Sequence, residues 1–366
     1  MGVYISAYSL CCAQGDGAAA VAEQLSAPRT NSSRSLNFLT QNLQLPYFKA
    51  FDEDKLSVSS LCRLIEQHIL QALQAAGKDA ATIARVPIFL GSTAYVIAQY
   101  EITHAPPAPR TSVHAYDLGE IADYFLQKYG NPHVVSCATS CTSSANALLY
   151  ARNMIERGWC EEAMVVGFET FNDLTLNNFY ALGLLADNDY LPLLQEGFVL
   201  GEGIAALLLQ KESPPGGAPY LHAAQIRTAT DSFTSSRRER LYEVMSSTLQ
   251  AACIAPEQVN LIKPCALGSD TDHEEIAALQ RLFPNLPPLA LLKPFLGYTL
   301  GASTVLETVY LLICLQHHRL PELPHAAQYA AHNLPLAHTD QPAATGYALI
   351  NTFGFGGSNA CLLLEY

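Results

Sequence analysis

The stretch Val134-Val135-Ser136-Cys137-Ala138-Thr139-Ser140-Cys141-Thr142-Ser143-Ser144-Ala145-Asn146-Ala147-Leu148-Leu149 passes from a β-branched pair, through small hydroxyl and thiol residues, into helix formers. That order predicts a strand delivering a small-residue turn to the start of a buried helix. The plan recurs later in the chain. Leu289 to Leu292 leads through Lys293-Pro294-Phe295-Leu296-Gly297-Tyr298 into Gly301-Ala302-Ser303-Thr304-Val305-Leu306-Glu307 and another apolar helix. Downstream of each turn lies a Gly-rich bend followed by an apolar strand. These are Gly201-Glu202-Gly203 before Ile204 to Leu209, and Gly354-Phe355-Gly356-Gly357 before Ala360 to Leu364. Glycine tolerates positive φ and close backbone approach, so each bend is expected to join two antiparallel strands. Two related α/β halves follow, 1–212 and 218–366. The first closes its last strand near Gln210, the second opens near Tyr220, and Ser213-Pro214-Pro215-Gly216-Gly217 is the linker between them.

The bulk composition agrees with layered packing. A chain of 366 residues exceeds the usual single-core size. With 49% hydrophobic and 14% charged residues, it is expected to cover its layers on both sides or to hide surface in a subunit interface, so an oligomer is anticipated. Apolar runs such as Ile204 to Leu209 fall well below the roughly 18 residues that span a bilayer, which predicts a soluble protein. The opening Met1-Gly2-Val3-Tyr4-Ile5-Ser6 has no basic region before an apolar stretch and reads as a first strand, which makes a cytoplasmic location the expectation. The ten cysteines are scattered, and Cys62, Cys253, Cys314 and Cys361 sit in apolar contexts, so reduced and mostly buried thiols are expected. A formal charge of -13 argues against nucleic acid or an anionic membrane as partner, and against direct docking of an acidic carrier protein. Arg237, Arg238 and Arg240 read as a solvated helix face.

Taken together, these sites resemble those of the β-ketoacyl synthases of the thiolase superfamily. Thr139-Ser140-Cys141-Thr142-Ser143-Ser144 is similar to the nucleophile motif of that family, with Cys141 at the cysteine. Gly197-Phe198-Val199-Leu200-Gly201-Glu202-Gly203 and Phe353-Gly354-Phe355-Gly356-Gly357-Ser358-Asn359 resemble two further signatures. The resemblance covers nearly the whole chain in the right order. It implies the five-layered α/β/α/β/α thiolase fold built from two related halves, and a dimer whose central sheets pair across the interface. It also implies a cysteine at a helix N-terminus, where the dipole favours thiolate. The backbone N–H groups of Cys141 and Phe355, with Gly356 beside them, would then form the oxyanion hole and acyl pocket.

Active members stabilise the enolate of the decarboxylated malonyl unit with two histidines, and this sequence departs from them at both positions. After Asn260-Leu261-Ile262-Lys263-Pro264, Cys265 stands at the first histidine position. In Lys293-Pro294-Phe295-Leu296-Gly297-Tyr298-Thr299-Leu300-Gly301-Ala302, Tyr298 stands at the second, while the supporting Lys293 and Glu307 are kept. A thiol is a weak donor and a phenol donates a single hydrogen bond. The loop Pro192-Leu193-Leu194-Gln195-Glu196 is shorter than the active members' equivalent.

The resemblance therefore implies a non-condensing, chain-length-factor-like subunit. It would pair with an active ketosynthase in a type II fatty acid or polyketide system, in general character an aryl polyene system, and meet acyl carrier protein through that complex. Chain length factors often carry glutamine where this chain keeps Cys141, so a second reading stays open, an acyltransferase or weak ketosynthase using Cys141 as acyl acceptor. No cofactor is expected. The Cys137-x-x-x-Cys141 spacing lacks a second pair at zinc-ligand spacing and predicts no metal. Phe355 reads either as a gate or as a fixed packing aromatic. His273, in Thr271-Asp272-His273-Glu274-Glu275, is expected on a solvated first turn, and His317-His318 at a helix C-terminus.

Overall fold

The computed structural model describes residues 2–38, 41–103, 117–228, 237–337 and 345–366. The N-terminal half opens with β1 (Tyr4–Cys12), β2 (Gly15–Asp16), α1 (Ala18–Gln24), β3 (Ser32–Phe38), β4 (Gln41–Phe48) and α2 (Val58–Ala75). It continues through β5 (Ile88–Gly91), α3 (Ile97–Thr103), α4 (Gly119–Tyr129), β6 (Val134–Cys137), α5 (Ser143–Glu156), β7 (Glu162–Glu169), α6 (Asp173–Ala181), β8 (Leu200–Gly201) and β9 (Gly203–Gln210). The C-terminal half comprises β10 (Tyr220–Thr228), α7 (Arg237–Ala252), β11 (Val259–Lys263), α8 (Thr271–Leu282), α9 (Lys293–Leu296), α10 (Ser303–Gln316), α11 (Ala326–Ala330), β12 (Tyr347–Phe353) and β13 (Ser358–Glu365).

Strand order exposes the repeat. The first half runs β6-β5-β7-β9-β1 and the second runs β11-β12-β13-β10, joined by the pairing of Tyr4 with Tyr220. In the first, β5 and β7 are parallel while β7, β9 and β1 alternate in direction. In the second, β11 and β12 are parallel while β12, β13 and β10 alternate in the same way. The strand expected at Leu289 to Leu292 shrinks to bridges at Leu289 alone, parallel to Ile262 in the place where β6 pairs with β5, and parallel to Leu336 on its other side. Pro287 and Pro288 precede it and lack the N–H groups that a longer ladder would use.

Five layers result. Helices α2 and α4 cover the outer face of the first sheet, where Leu61, Ile65 and Ile69 meet Ile204, Ala206 and Leu208. Helices α5 and α10 fill the space between the sheets, and α7 with α8 covers the outer face of the second. Every residue of α10 from Ser303 to Leu315 is buried, as a central-layer helix requires.

Three expectations change here. The bend Gly201-Glu202-Gly203 does not close a hairpin: β8 pairs parallel with β4 of a small three-stranded sheet, and the chain then crosses into β9 of the large one. The bend at Gly354 does close one, between β12 and β13. Cys253, at the end of α7, is exposed, although all ten cysteines are free thiols. Arg240 is buried, whereas Arg237 and Arg238 pair with Asp270 and Glu274 across to α8. No described helix is long and apolar enough to cross a membrane.

Candidate active site

Cys141 lies in a single 3-10 turn, Ser140–Thr142, between β6 and α5. The turn is strained, since Ser140 holds φ at 55°, a region L-residues with side chains seldom occupy. Small hydroxyls hold it. Ser143 Oγ donates to Ser140 O at 2.6 Å and accepts from Thr139 N–H at 3.0 Å, and Asn146 Nδ2 donates to Thr139 Oγ1 at 2.7 Å. Thr142 Oγ1 and Ser358 Oγ, 2.6 Å apart, tie the turn to the first residue of β13. A Cβ on Gly91 would lie 2.4 Å from Ser144 Cα, so the bare glycine at the end of β5 is what lets the start of α5 come this close.

The Cys141 side chain is buried. Burial pushes its thiol pKa up, while the Tyr298 hydroxyl and the backbone N–H groups of Phe355 and of Cys141 itself pull it down. Those two amides are the ones implied for an oxyanion hole. Gly356 is exposed on the far side of the bend, and the glycine packed on Cys141 is Gly354, whose Cβ would sit 3.3 Å from Cys141 Cβ.

Tyr298 is 1% exposed and comes from the segment after α9. Its backbone bonds to Val199 O at 2.7 Å and accepts from Gly201 N–H at 3.0 Å, so the Gly-Phe-Val-Leu-Gly-Glu-Gly run sets its position. Phe198 of that run packs edge-on to the Tyr298 ring at 5.3 Å between centroids and reaches Phe355 at 5.8 Å. Phe355 is half-buried on this aromatic stack. The Tyr298 hydroxyl has no well-aligned hydrogen-bond partner, and burial followed by the neighbouring Cys141 raises its pKa well above the usual phenol.

Cys265 is held by backbone. Its thiol donates to Phe353 O at 3.5 Å and accepts from Phe353 N–H at 3.3 Å, so it is spent on backbone. Burial pushes its pKa up to about 12.

Behind it lies a buried charge cluster. Lys293 Nζ donates to Glu307 Oε1 at 2.7 Å, and Lys263 Nζ donates to Glu307 Oε2. All three residues are at most 2% exposed, so a single carboxylate faces two ammonium groups. Burial lowers the Lys263 pKa, with Glu307 opposing and the Lys293 charge adding to the fall. Lys293 stays raised, because Glu307 and its other acidic neighbours outweigh burial, and its Nζ lies 5.9 Å from the centre of the Tyr298 ring. Lys263 was not singled out from sequence, because a lysine ending a strand looks like any edge residue.

Two further carboxylates depart from the sequence expectation. Asp272 and Glu275 read as a solvated turn, yet both are buried and only His273 of the group is exposed. Glu275 accepts from the N–H groups of Cys265 at 2.8 Å and Ala266 at 2.9 Å. Asp272 accepts from Leu267, Gly268 and, at 2.7 Å, from Leu193 of the shortened loop. The loop is thereby pinned over the cysteine-bearing segment. His317 and His318 are exposed and follow α10, as expected.

This assembly of a cysteine at the start of a buried helix, a Gly-Phe-Gly bend against it and a buried lysine–glutamate pair matches sequence models of known proteins. The model for the Beta-ketoacyl synthase, N-terminal domain matches residues 20–214, and that for the Beta-ketoacyl synthase, C-terminal domain matches residues 221–327. The chain belongs to the β-ketoacyl synthase family. A mitochondrial protein of Schizosaccharomyces pombe named as a 3-oxoacyl-[acyl-carrier-protein] synthase is 27% identical over 277 residues, 67% of this chain and 64% of that one. Polyketide synthase ThaG of Burkholderia thailandensis is 26% identical over 276 residues, 63% of this chain but 5% of that much longer protein. The solved complex of the ketosynthase ApeO with its chain length factor ApeC from Xenorhabdus doucetiae contains a chain that superposes with a TM-score of 0.82 at 22% identity, covering 100% of this chain and 98% of that one. The layered architecture is accordingly the thiolase fold.

Proposed function

We propose that this chain is the non-condensing member of a ketosynthase pair, a chain-length-factor-like subunit that shapes the acyl tunnel of an active β-ketoacyl-carrier-protein synthase in a type II fatty acid or polyketide system of the aryl polyene kind. The observation that carries this reading is the chemistry at the two positions where the family places imidazoles. The Cys265 thiol is engaged with the backbone of Phe353, and the Tyr298 ring fills the space beside Cys141. Losing one preorganised donor from such a site costs on the order of 10²- to 10³-fold in rate, and here neither imidazole is present. Pairing is supported by β6, which ends its sheet with β5 as its single described partner and with Val135 exposed. Acyl carrier protein would reach the pair through the active subunit.

One observation favours the second reading, an acyl-accepting Cys141: the backbone N–H groups of Cys141 and Phe355 pull the thiol pKa down against burial. The test is to co-express the chain with an active ketosynthase, purify the pair, and compare malonyl-dependent condensation and product length for wild type and Cys141→Ala. Unchanged activity and length support the shaping role. Collapse with the complex intact assigns covalent chemistry to Cys141.

A further inference from the structure

We propose that Cys11, Asp16 and His68 form a zinc site on the N-terminal half, separate from Cys141, with its fourth position open to a neighbouring cavity. Cys11 is the penultimate residue of β1, Asp16 pairs with it from β2 across the tight turn that follows, and His68 lies on α2. Their Cys11 Sγ, Asp16 carboxylate and His68 ring-nitrogen atoms all lie within 4.8 Å of one another, and His68 Nε2 is 3.9 Å from Asp16 Oδ1. Thiolate, imidazole and carboxylate are the ligand set of open zinc sites, which take three protein ligands and a water.

The independent observation is the state of the His68 ring. The residue is fully buried, and its Nε2 has no hydrogen-bond partner. Its other nitrogen is committed. Ser9 Oγ donates its hydrogen to His68 O at 2.8 Å, so at 3.2 Å from Nδ1 the same oxygen must accept from Nδ1–H. That fixes the tautomer with the proton on Nδ1 and leaves the Nε2 lone pair bare, facing Asp16. It is the arrangement that a serine or carbonyl behind a metal-bound histidine imposes. A buried ring nitrogen without a partner is costly, and a cation at Nε2 would remove that cost.

Access and charge fit a cation. Asp16 has its side chain 54% exposed and opens the site to solvent, while Cys11 and His68 are buried. A cavity of about 340 Å³ adjoins, lined by Cys11, Asp16, Asp52 and Glu53 on one side and Arg63 and Gln67 of α2 on the other. The Cys11 thiol spends only a long 3.6 Å contact on Ala50 O, so little is lost when sulfur turns to a metal. Modest rotation of the exposed Asp16 side chain brings the three ligands to zinc distances of about 2.0–2.3 Å.

The experiment uses the full chain, purified with its partner subunit, stripped with chelator and titrated with Zn²⁺. One zinc retained per chain is expected, with a zinc-dependent rise in Tm. Co²⁺ in its place should give a cobalt–thiolate charge-transfer band that Cys11→Ser abolishes. Asp16→Asn should weaken zinc binding at least about tenfold. Its exposed side chain makes folding of this variant secure even if His68→Gln fails to fold. Cys253→Ser, at the exposed thiol, should change nothing. Failure to retain stoichiometric zinc, or retention and a cobalt band unaltered by both Cys11→Ser and Asp16→Asn, overturns the proposal.

Discussion

At the residue scale, the candidate site turns on Cys141, Tyr298 and Cys265 and on the buried charges around them. The Tyr298 hydroxyl is buried without a well-aligned hydrogen-bond partner, and it pulls the Cys141 thiol pKa down. Tyr298→Phe should therefore slow alkylation of Cys141 by iodoacetamide at fixed pH by several-fold, without loss of stability. Deleting an unpartnered buried hydroxyl leaves the fold unchanged or more stable by about 1 kcal/mol. Faster alkylation in the variant would show that the phenol shields the sulfur instead. The lysine pair behaves differently. Glu307→Gln strands two buried ammonium groups and is expected to cost about 3–5 kcal/mol in urea denaturation, while Lys293→Met leaves the Lys263–Glu307 pair balanced and should cost less. The reverse ranking would mean that Lys263 is neutral in the folded protein. Cys141, Cys265 and Tyr298 were legible because each sits in a motif with fixed spacing. Lys263, Asp272 and Glu275 were not, because their burial is decided by the neighbours that fold around them and not by their own flanks.

At the element scale, close approaches made by glycine and by one buried carboxylate hold the turn of Cys141 in place. Gly91→Ala sets a Cβ 2.4 Å from Ser144 Cα, backbone that cannot swing aside, whereas Gly130, the left-handed cap of α4, has open space around its Cβ. Gly130→Ala should cost about 1 kcal/mol for its φ alone. Gly91→Ala should cost several times more and be read as loss of soluble protein or a large fall in urea midpoint. Glu169, at the end of β7, accepts from Thr93 N–H at 3.0 Å, Ala94 N–H at 2.8 Å and Gly301 N–H at 3.1 Å, so it clamps the loop after β5 to the turn before α10. Burial raises its pKa from 4.5 to about 7 against the pull of those amides. The folded protein thus holds this proton more tightly than the unfolded chain. The contribution is fully present below pH 4.5 and is lost as pH rises to about 7. A shift of that size amounts to about 3 kcal/mol. Urea midpoints of wild type and Glu169→Gln, compared between about pH 5 and about pH 8, should differ in slope, with the variant flatter. Equal slopes would place the titration of Glu169 outside this window. The strand-turn-helix plan of both halves was readable from β-branched and small-residue runs. The reduction of the second strand to Leu289, and the crossing of Gly201 into a second sheet, depend on partners distant in sequence and left no local mark.

At the scale of the whole molecule, the repeat explains why the two halves are unequal. The first half ends in a true strand, β6, with β5 as its single described partner, whereas the corresponding place in the second half holds only Leu289, bridged on one side to Ile262 and on the other to Leu336, so the described open edge lies on the first half, beside the turn of Cys141. Edge strands with exposed β-branched residues template pairing with another chain unless charge or a covering element blocks them. Val135, 44% exposed on β6, carries no such block on the strand itself. β6 is the described edge on which an interface of the kind expected from the apolar composition would fit, and it feeds directly into the turn of Cys141. If β6 is the seam to an active ketosynthase, Val135→Lys should leave the fold of this chain intact, since the side chain points outward, yet weaken co-purification by on the order of tenfold. Condensation by the pair should fall with the amount of complex. Co-purification unchanged by Val135→Lys, with circular dichroism also unchanged, would move the partner to another face and remove the geometric link between pairing and the acyl tunnel.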